Sequence, residues 1–425
     1  MSPTYTVYIG TFIHLPRLPA SAPTADIDHA LSINHGALWV SVDDGTIAGF
    51  EWCGTSRGDV RRLVGRRGWV VDRVDYGDQG DTHIHAPQYP NTGLFGTSGL
   101  LSWLETYTFP TESSFASSPT LPRIPPPLAY RIYNQVISRT LSHGTTTASY
   151  FATIHVPATN LLATLCHARG QRALIGRVCM DNPATCPSLL IDASPETAIA
   201  DTQATISHIH KLDPSHTLIH PIITPRFAPS CTPSLLTALS TLASSTSPPT
   251  HIQTHLAENL DECALVKTLF PDSKDYTSVY DTFRLLTPRT VLAHAIHLSD
   301  AERELIRQRG SKISHCPSSN SALGSGICAV RKTLRAGVTV GLGSDVSGGY
   351  AVSMLEVVRQ TCLVSRLLQY TAYGSENGSE DDVFTVPSAL YLATRGGAAV
   401  LDMADQIGGF DLGMSFDAQL VRLGA

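Results

Sequence analysis

At 425 residues the chain can bury a large core but is too long for one ordinary domain; a barrel of alternating strands and helices with a small companion suits that length. Only 16% of residues are charged and the formal net charge is -6, so no basic surface exists to neutralise phosphates, and a small, neutral or weakly charged substrate is expected in place of nucleic acid. The opening MSPTYTVYIGTF lacks a charged and then apolar leader, no run of about 18 apolar residues occurs, and the nine cysteines form no C-x-x-C pair; these features predict no membrane span, no export, reduced thiols and a cytoplasmic address.

From Thr4 to about Trp52 the chain alternates apolar and polar residues, with a hairpin turn at Asp43-Asp44-Gly45, which predicts a small β domain. Two stretches, Arg57 to Arg73 and SSFASSPTLPRIPPPLAY from Ser113, read as loops, and the polar GSENGSEDD from Gly374 to Asp382 reads as exposed. Between them lie eight strand candidates in order: DTHIHA, TTTASYFA, ALIGRVCM, LIHPIITPRFAP, IQTHLAE, TVLAHAIH, KISHCP and VTVGLGSD. Most are separated by amphipathic helices such as AYRIYNQVISRTLSHG and SDAERELIRQRG, the latter with a capping box at Ser299 and Glu302 and a stop at Gly310. Eight strand-helix units predict an α/β fold, a (β/α)8 TIM-like barrel over residues 76–400, with a small β-sandwich domain formed from residues 1–75 and 401–425. An open doubly wound sheet is disfavoured because no Gly-rich dinucleotide fingerprint follows the first strand.

Reactive groups of such a barrel sit at the C-terminal ends of its strands. There the chain offers His83 and His85 on strand one, His255 and Glu258 on strand five, His294 on strand six and Asp345 after strand eight. His83 and His85 are two apart, so on a strand they share a face. With 17 histidines, roughly 0.7 such pairs arise by chance, so the pair alone says little. His208 and His210 have the same spacing but fall in a predicted helix, where they diverge. Three imidazoles and one carboxylate suit Zn²⁺ with an open position for water, and the strand-three and strand-four candidates contain no Lys to bridge two metals, so one ion is expected. Glu258 is placed either for proton transfer or to complement the helix beginning NLDECALV. Asp345 is alternatively a turn and helix cap, and His297 competes with His294 for the same role.

The segments DTHIHAPQYP, LLSWLETYTFPTE, GTTTASYFATIH, PRFAP, THLAE, Ala293-His294 and GLGSDVSGGY, in that order, resemble the amidohydrolase superfamily and, within it, the guanine deaminases. The H-x-H is common to the superfamily, whereas APQYP, WLETYTFPTE and PRFAP are particular to that branch. The resemblance implies one zinc ion per chain on His83, His85, His255 and Asp345, with Glu258 as proton carrier, Asp345 as proton acceptor and His294 assisting. It also implies that Gln88, Arg226 and Phe227 hold a purine, that guanine is hydrolysed to xanthine and ammonia, and that the protein is a homodimer. Another purine, a pterin or a triazine is the alternative substrate, and a metal-free scaffold the non-catalytic alternative. The polar lead-in VVDRVDYGDQG departs from the branch and predicts a short or distorted first strand; the ending FDAQLVRLGA implies an abbreviated small domain.

Overall fold

The structure is a computed structural model and describes residues 4–17, 27–28, 30–52, 79–371 and 382–418. The expected loop at Arg57 to Arg73 and nearly all of the polar segment from Gly374 lie outside these residues. The small domain is a three-stranded antiparallel sheet of β1 (Tyr5–His14), β2 (Ser32–Ser41) and β3 (Ile47–Trp52) in the order β1-β2-β3. Its hairpin forms where the Asp-Asp-Gly sequence predicts: the Asp44 carboxylate accepts from the Thr46 amide at 3.0 Å, and Gly45 takes the left-handed conformation that costs it nothing. The C-terminal segment returns to this sheet. Met414 accepts from the Ile47 amide at 2.8 Å, and Phe410 and Phe416 pack on the apolar face with Phe12, Leu38 and Trp52.

The large domain carries β4 (Gln79–His85), β5 (Thr145–Phe151), β6 (Arg172–Gly176), β7 (Val178–Cys179), β8 (Ile219–Pro225), β9 (His251–Leu256), β10 (Thr290–His294), β11 (Lys312–His315) and β12 (Val340–Leu342). Eight of them run parallel in the order β4-β5-β6-β8-β9-β10-β11-β12, with β7 a short extension beside β8. All eight strand segments expected from the sequence are present; the third, ALIGRVCM, is interrupted at Arg177, whose buried guanidinium turns to Asp192. The lead-in predicts an irregular first strand, and β4 has seven residues whose pairing with β5 shifts register twice.

The helices between strands form for legible reasons. Pro127–Ser142 starts with Pro at its first turn, where no amide hydrogen is needed, and buries Ala129, Ile132, Tyr133, Val136, Ile137 and Thr140, a three-four spacing that defines one face. Asp300–Arg309 has the expected reciprocal cap between Ser299 and Glu302 and ends at Gly310 with φ +70°. Below the barrel, Ala398, Val400 and Leu401 pack against Leu174, Ile222 and Val291, and Asp402 pairs with Lys312 and His251. No helix among the described residues is long and apolar enough to cross a membrane.

Closure between β12 and β4 is made at the upper rim. Thr82 Oγ1 donates to the Leu342 carbonyl at 2.8 Å, the Asp345 amide to the His83 carbonyl at 2.8 Å, and the His85 amide to the Val346 carbonyl at 2.9 Å. The buried Asp81 carboxylate accepts from the Ser344 amide at 2.9 Å and its hydroxyl at 2.5 Å. Gly343 allows this approach: a Cβ there would lie 2.6 Å from Ser314 Oγ and 2.7 Å from His83 Cβ. Gly343→Ala is therefore expected to lose about 1–3 kcal/mol of stability through overpacking. Denaturant unfolding checks this, and an unchanged midpoint would show that the seam accommodates the methyl group.

Candidate active site

Four strands deliver the candidate residues to one end of the barrel. His83 and His85 leave β4 on one face, His255 and His294 lie at the ends of β9 and β10, and Asp345 follows β12 by three residues. The backbone is strained there: Ala257, His294, Ala295 and Asp345 all have φ between 47° and 68°. Non-glycine residues held in this region cost about 1–3 kcal/mol each and collect where surrounding packing enforces a functional geometry.

The side chains of His83, His85, His255 and Asp345 converge, with one ligand-type atom from each lying within 4.8 Å of the others. Asp345 Oδ1 is 3.1 Å from His83 Nε2 and 3.3 Å from His85 Nε2. His83 Nε2 nevertheless has no well-formed hydrogen bond. His255 is oriented by its other nitrogen: Nδ1 donates to the Arg226 carbonyl at 2.5 Å, which leaves Nε2 as a bare lone pair 3.2 Å from His85 Nε2. Burial pushes His85 down to about 4, against the pull of Asp345, and lowers His83 and His255 as well. Burial alone would raise Asp345, but His83, His85 and His294 outweigh it and hold the carboxyl well below its usual range. Neutral imidazoles, one carboxylate and nitrogen lone pairs facing one another without a shared proton form a donor set that fits a divalent cation. A second grouping, His83, His294 and Cys316, fits less well, because burial pushes the Cys316 thiol up and keeps it protonated.

Glu258 and His294 border this cluster. His294 Nδ1 faces Asn320 Oδ1 at 2.9 Å and so carries the hydrogen; its Nε2 is 3.4 Å from Glu258 Oε2 and 3.7 Å from Asp345 Oδ2. His297, the competing imidazole, is instead tied to the Ser325 carbonyl at 2.8 Å. Glu258 does not cap the following helix: Asn259 and Glu262 do so, with Glu262 Oε2 accepting from the Glu258 amide at 2.9 Å. Its carboxyl, freed from that duty, accepts from Ser325 Oγ at 3.2 Å and is pushed up to about 8 by burial and the Asp345 charge. Asp345 likewise is no helix cap, since the next helix begins at Met354. The His208 and His210 pair sits on the helix Pro195–Leu212, His208 against Thr164 and His210 against the His216 ring.

The cluster forms one wall of an open cleft of about 410 Å³. Gln88, Arg226 and Phe227 also line it, and Leu100, Trp103, Leu104 and Leu323 give it apolar surface. One residue that sequence reasoning passed over organises the Gln88 and Arg226 part of that lining. Glu112, fully buried, accepts from Arg226 Nη1 at 2.7 Å, Arg226 Nη2 at 3.2 Å and Gln88 Nε2 at 2.8 Å. Phe109, from the same short helix, places its ring 5.1 Å from the Arg226 guanidinium carbon. The available signal was an acidic residue closing the aromatic run YTFPTE.

The fold and a cluster that could hold a metal ion fit a hydrolase of the barrel type, and the amidohydrolase family model matches residues 80–423: the chain belongs to the amidohydrolase family. Within it, the chain is similar to guanine deaminases. It is 49% identical over 345 residues to a probable guanine deaminase of Schizosaccharomyces pombe, covering 81% of this chain and 62% of that one, and 37% identical to the guanine deaminase of Homo sapiens, covering 99% and 87%. The crystal structure of the guanine deaminase from C. acetobutylicum with bound guanine in its active site aligns with a TM-score of 0.81 at 31% identity, covering 97% of this chain and 90% of that one.

If the four converging side chains hold a cation, His255→Ala removes one ligand and is expected to lower bound metal well below one equivalent. Elemental analysis of protein purified without chelator checks this. Chelation should also lower the melting temperature of the unaltered protein, because a ligand bound only by the folded state stabilises it; an unshifted melting curve would count against a structural contribution from the ion.

Proposed function

We propose that the chain hydrolyses guanine to xanthine and ammonia, using one Zn²⁺ held by His83, His85, His255 and Asp345. The observation that carries this reading is that one cleft is lined both by members of a cluster suited to a cation and by the Arg226, Gln88 and Phe227 group. Zinc bound there would act as a Lewis acid and make water nucleophilic near neutral pH. The alternation of borderline-soft nitrogen donors with a single carboxylate favours Zn²⁺ over Mg²⁺ or Ca²⁺, which prefer all-oxygen sites.

The protein's own groups account for binding and for proton movement. Arg226 offers donors to the purine carbonyl and Gln88 both donates and accepts at the heterocycle edge. Phe227 and the apolar sides contributed by Leu100, Trp103 and Leu104 exclude water and suit a flat ring. As a water oxygen bonds to the amino-bearing carbon, Asp345 takes a proton from that water. Glu258, which burial keeps protonated near neutrality, delivers its proton to the ring nitrogen and regains one that originated in the attacking water, by way of Asp345. It then passes a proton to the departing amine, so that ammonia leaves as the carbon–nitrogen bond breaks; the remaining hydroxyl proton of the adduct restores Glu258. His294 Nε2, 3.4 Å from Glu258 and 3.7 Å from Asp345, sits between the two proton carriers; with Nδ1 already holding a hydrogen, it stabilises charge on the attacking oxygen only when Nε2 is protonated as well. A ring lacking the carbonyl would leave Arg226 donors unmatched, which disfavours adenine-like substrates.

An assay of ammonia release from guanine, with metal content measured on the same sample, tests the reading; full metal occupancy without guanine turnover would overturn it. Glu258→Gln should keep its metal and lose about 10²–10⁴-fold in kcat, the usual contribution of a positioned proton carrier. Turnover near that of the unaltered protein would remove Glu258 from the proton path. Arg226→Lys retains the charge but not the fork, and steady-state kinetics should show guanine KM rising while the melting temperature changes little; unchanged kinetics would retire the contact.

A further inference from the structure

Glu112 does not line the cleft. It bonds to two residues that do, and both of its carboxylate oxygens are engaged: Oε2 by Arg226 Nη1, and Oε1 by both Arg226 Nη2 and Gln88 Nε2. Because a carboxylate only accepts, it dictates which end of the Gln88 amide faces it. The other end is fixed independently, since Gln88 Oε1 accepts from Ser347 Oγ at 3.3 Å. The amide therefore cannot flip without losing both partners. One Nε2 hydrogen and one carbonyl lone pair of this cleft-lining side chain remain unused by those two bonds.

Charge is the second consequence. The Arg226 side chain is buried, and a buried guanidinium without a counter-charge is strongly unfavourable. The other titratable groups that sense Glu112 are neutral: burial raises the Tyr133 phenol well above its ordinary value, and burial followed by Arg177 lowers His155 to about 4. Glu112 is thus the counter-charge that brings this wall to net neutrality.

We propose that Glu112 is a positioning and specificity-determining residue: by neutralising Arg226 and fixing the Gln88 amide, it makes the cleft prefer an uncharged heterocycle over the same class of ring as an anion. The inference rests on the purine reading above. If that reading holds, guanine enters neutral, whereas xanthine, the more acidic product, loses a proton more readily and is the species turned away. Glu112 would then favour product release as well as substrate entry.

The test compares the metal-loaded unaltered protein with Glu112→Gln and Glu112→Asp. For each, the inhibition constant of xanthine is divided by the guanine KM at several pH values below the ionisation of guanine, so that protein titrations common to both ligands cancel. In Glu112→Gln, guanine KM should rise about tenfold, the equivalent of ~1.4 kcal/mol, with a much smaller change in kcat. The xanthine-to-guanine ratio should swing towards xanthine as pH rises, relative to the unaltered protein. Glu112→Asp, which keeps the charge but not the reach, should raise KM while preserving the original pH dependence. Identical pH dependence in Glu112→Gln and the unaltered protein would overturn the proposal. Should Glu112→Gln fail to fold, Glu112→Asp decides: a ratio that swings towards xanthine despite the retained charge, or an unchanged KM, overturns it. Calorimetric titration of xanthine at the same pH values reads the anion preference without turnover, so an absence of guanine hydrolysis would count against the purine reading alone.

Discussion

The structure depends on the seam between β4 and β12. Seven of the eight contacts around the barrel are parallel ladders, the β4–β5 one irregular, but the last is made by the Asp345 amide on the His83 carbonyl and the His85 amide on the Val346 carbonyl. The same hydrogen bonds that close the sheet therefore set the spacing of three of the four converging side chains. Asp81 reinforces the seam from beneath with two bonds to Ser344, in a site so buried that its pKa rises to about 7 despite them. A charge-assisted hydrogen bond of this kind contributes about 1.5–3 kcal/mol, and more is lost if a buried partner is left unsatisfied. Placement of the site is thus inseparable from closure of the fold.

A second linkage runs through Arg226. Its backbone carbonyl orients His255 by accepting from Nδ1, while its side chain, held by Glu112 and resting over Phe109, lines the cleft. One residue therefore fixes a member of the His/Asp cluster through its main chain and a polar part of the cleft lining through its guanidinium. The short helices after β4 serve this arrangement. Asn91 donates to the Tyr107 carbonyl at 2.9 Å and to Thr111 Oγ1 at 3.0 Å, tying the turn that carries Gln88 to the segment that carries Glu112. That segment includes a π-helical turn at Leu104–Thr108, a feature that often marks functional sites.

Helix capping also divides two neighbouring carboxylates between different surroundings. Glu262 and Glu258 lie on one turn of chain, and either could complement the start of the helix Leu260–Leu269 by its charge. Glu262 takes the structural part, accepting from the Glu258 and Asn259 amides and from the Tyr276 hydroxyl at 2.7 Å. Glu258 is thereby held by its backbone while its carboxyl faces His294. The division requires two acids, because one carboxylate cannot satisfy the helix end and face His294 as well.

The sequence alone determined the eight strand segments, the three-four apolar face of Pro127–Ser142 and the cap at Ser299, because periodicity, capping and turn chemistry act over a few residues. It also nominated His83, His85, His255, Glu258, His294 and Asp345, since barrel strands in series must present their C-terminal ends on one rim. What only tertiary structure decided were relations across long stretches of chain. The choice of His294 over His297 turned on Asn320 and Ser325. The break at Arg177 turned on Asp192, and the role of Glu112 on Arg226, 114 residues away. Local pattern can place a carboxylate or an imidazole on a rim; which polar group it meets there is set by how distant segments pack, and an unpaired buried charge is too costly for that pairing to be left to chance.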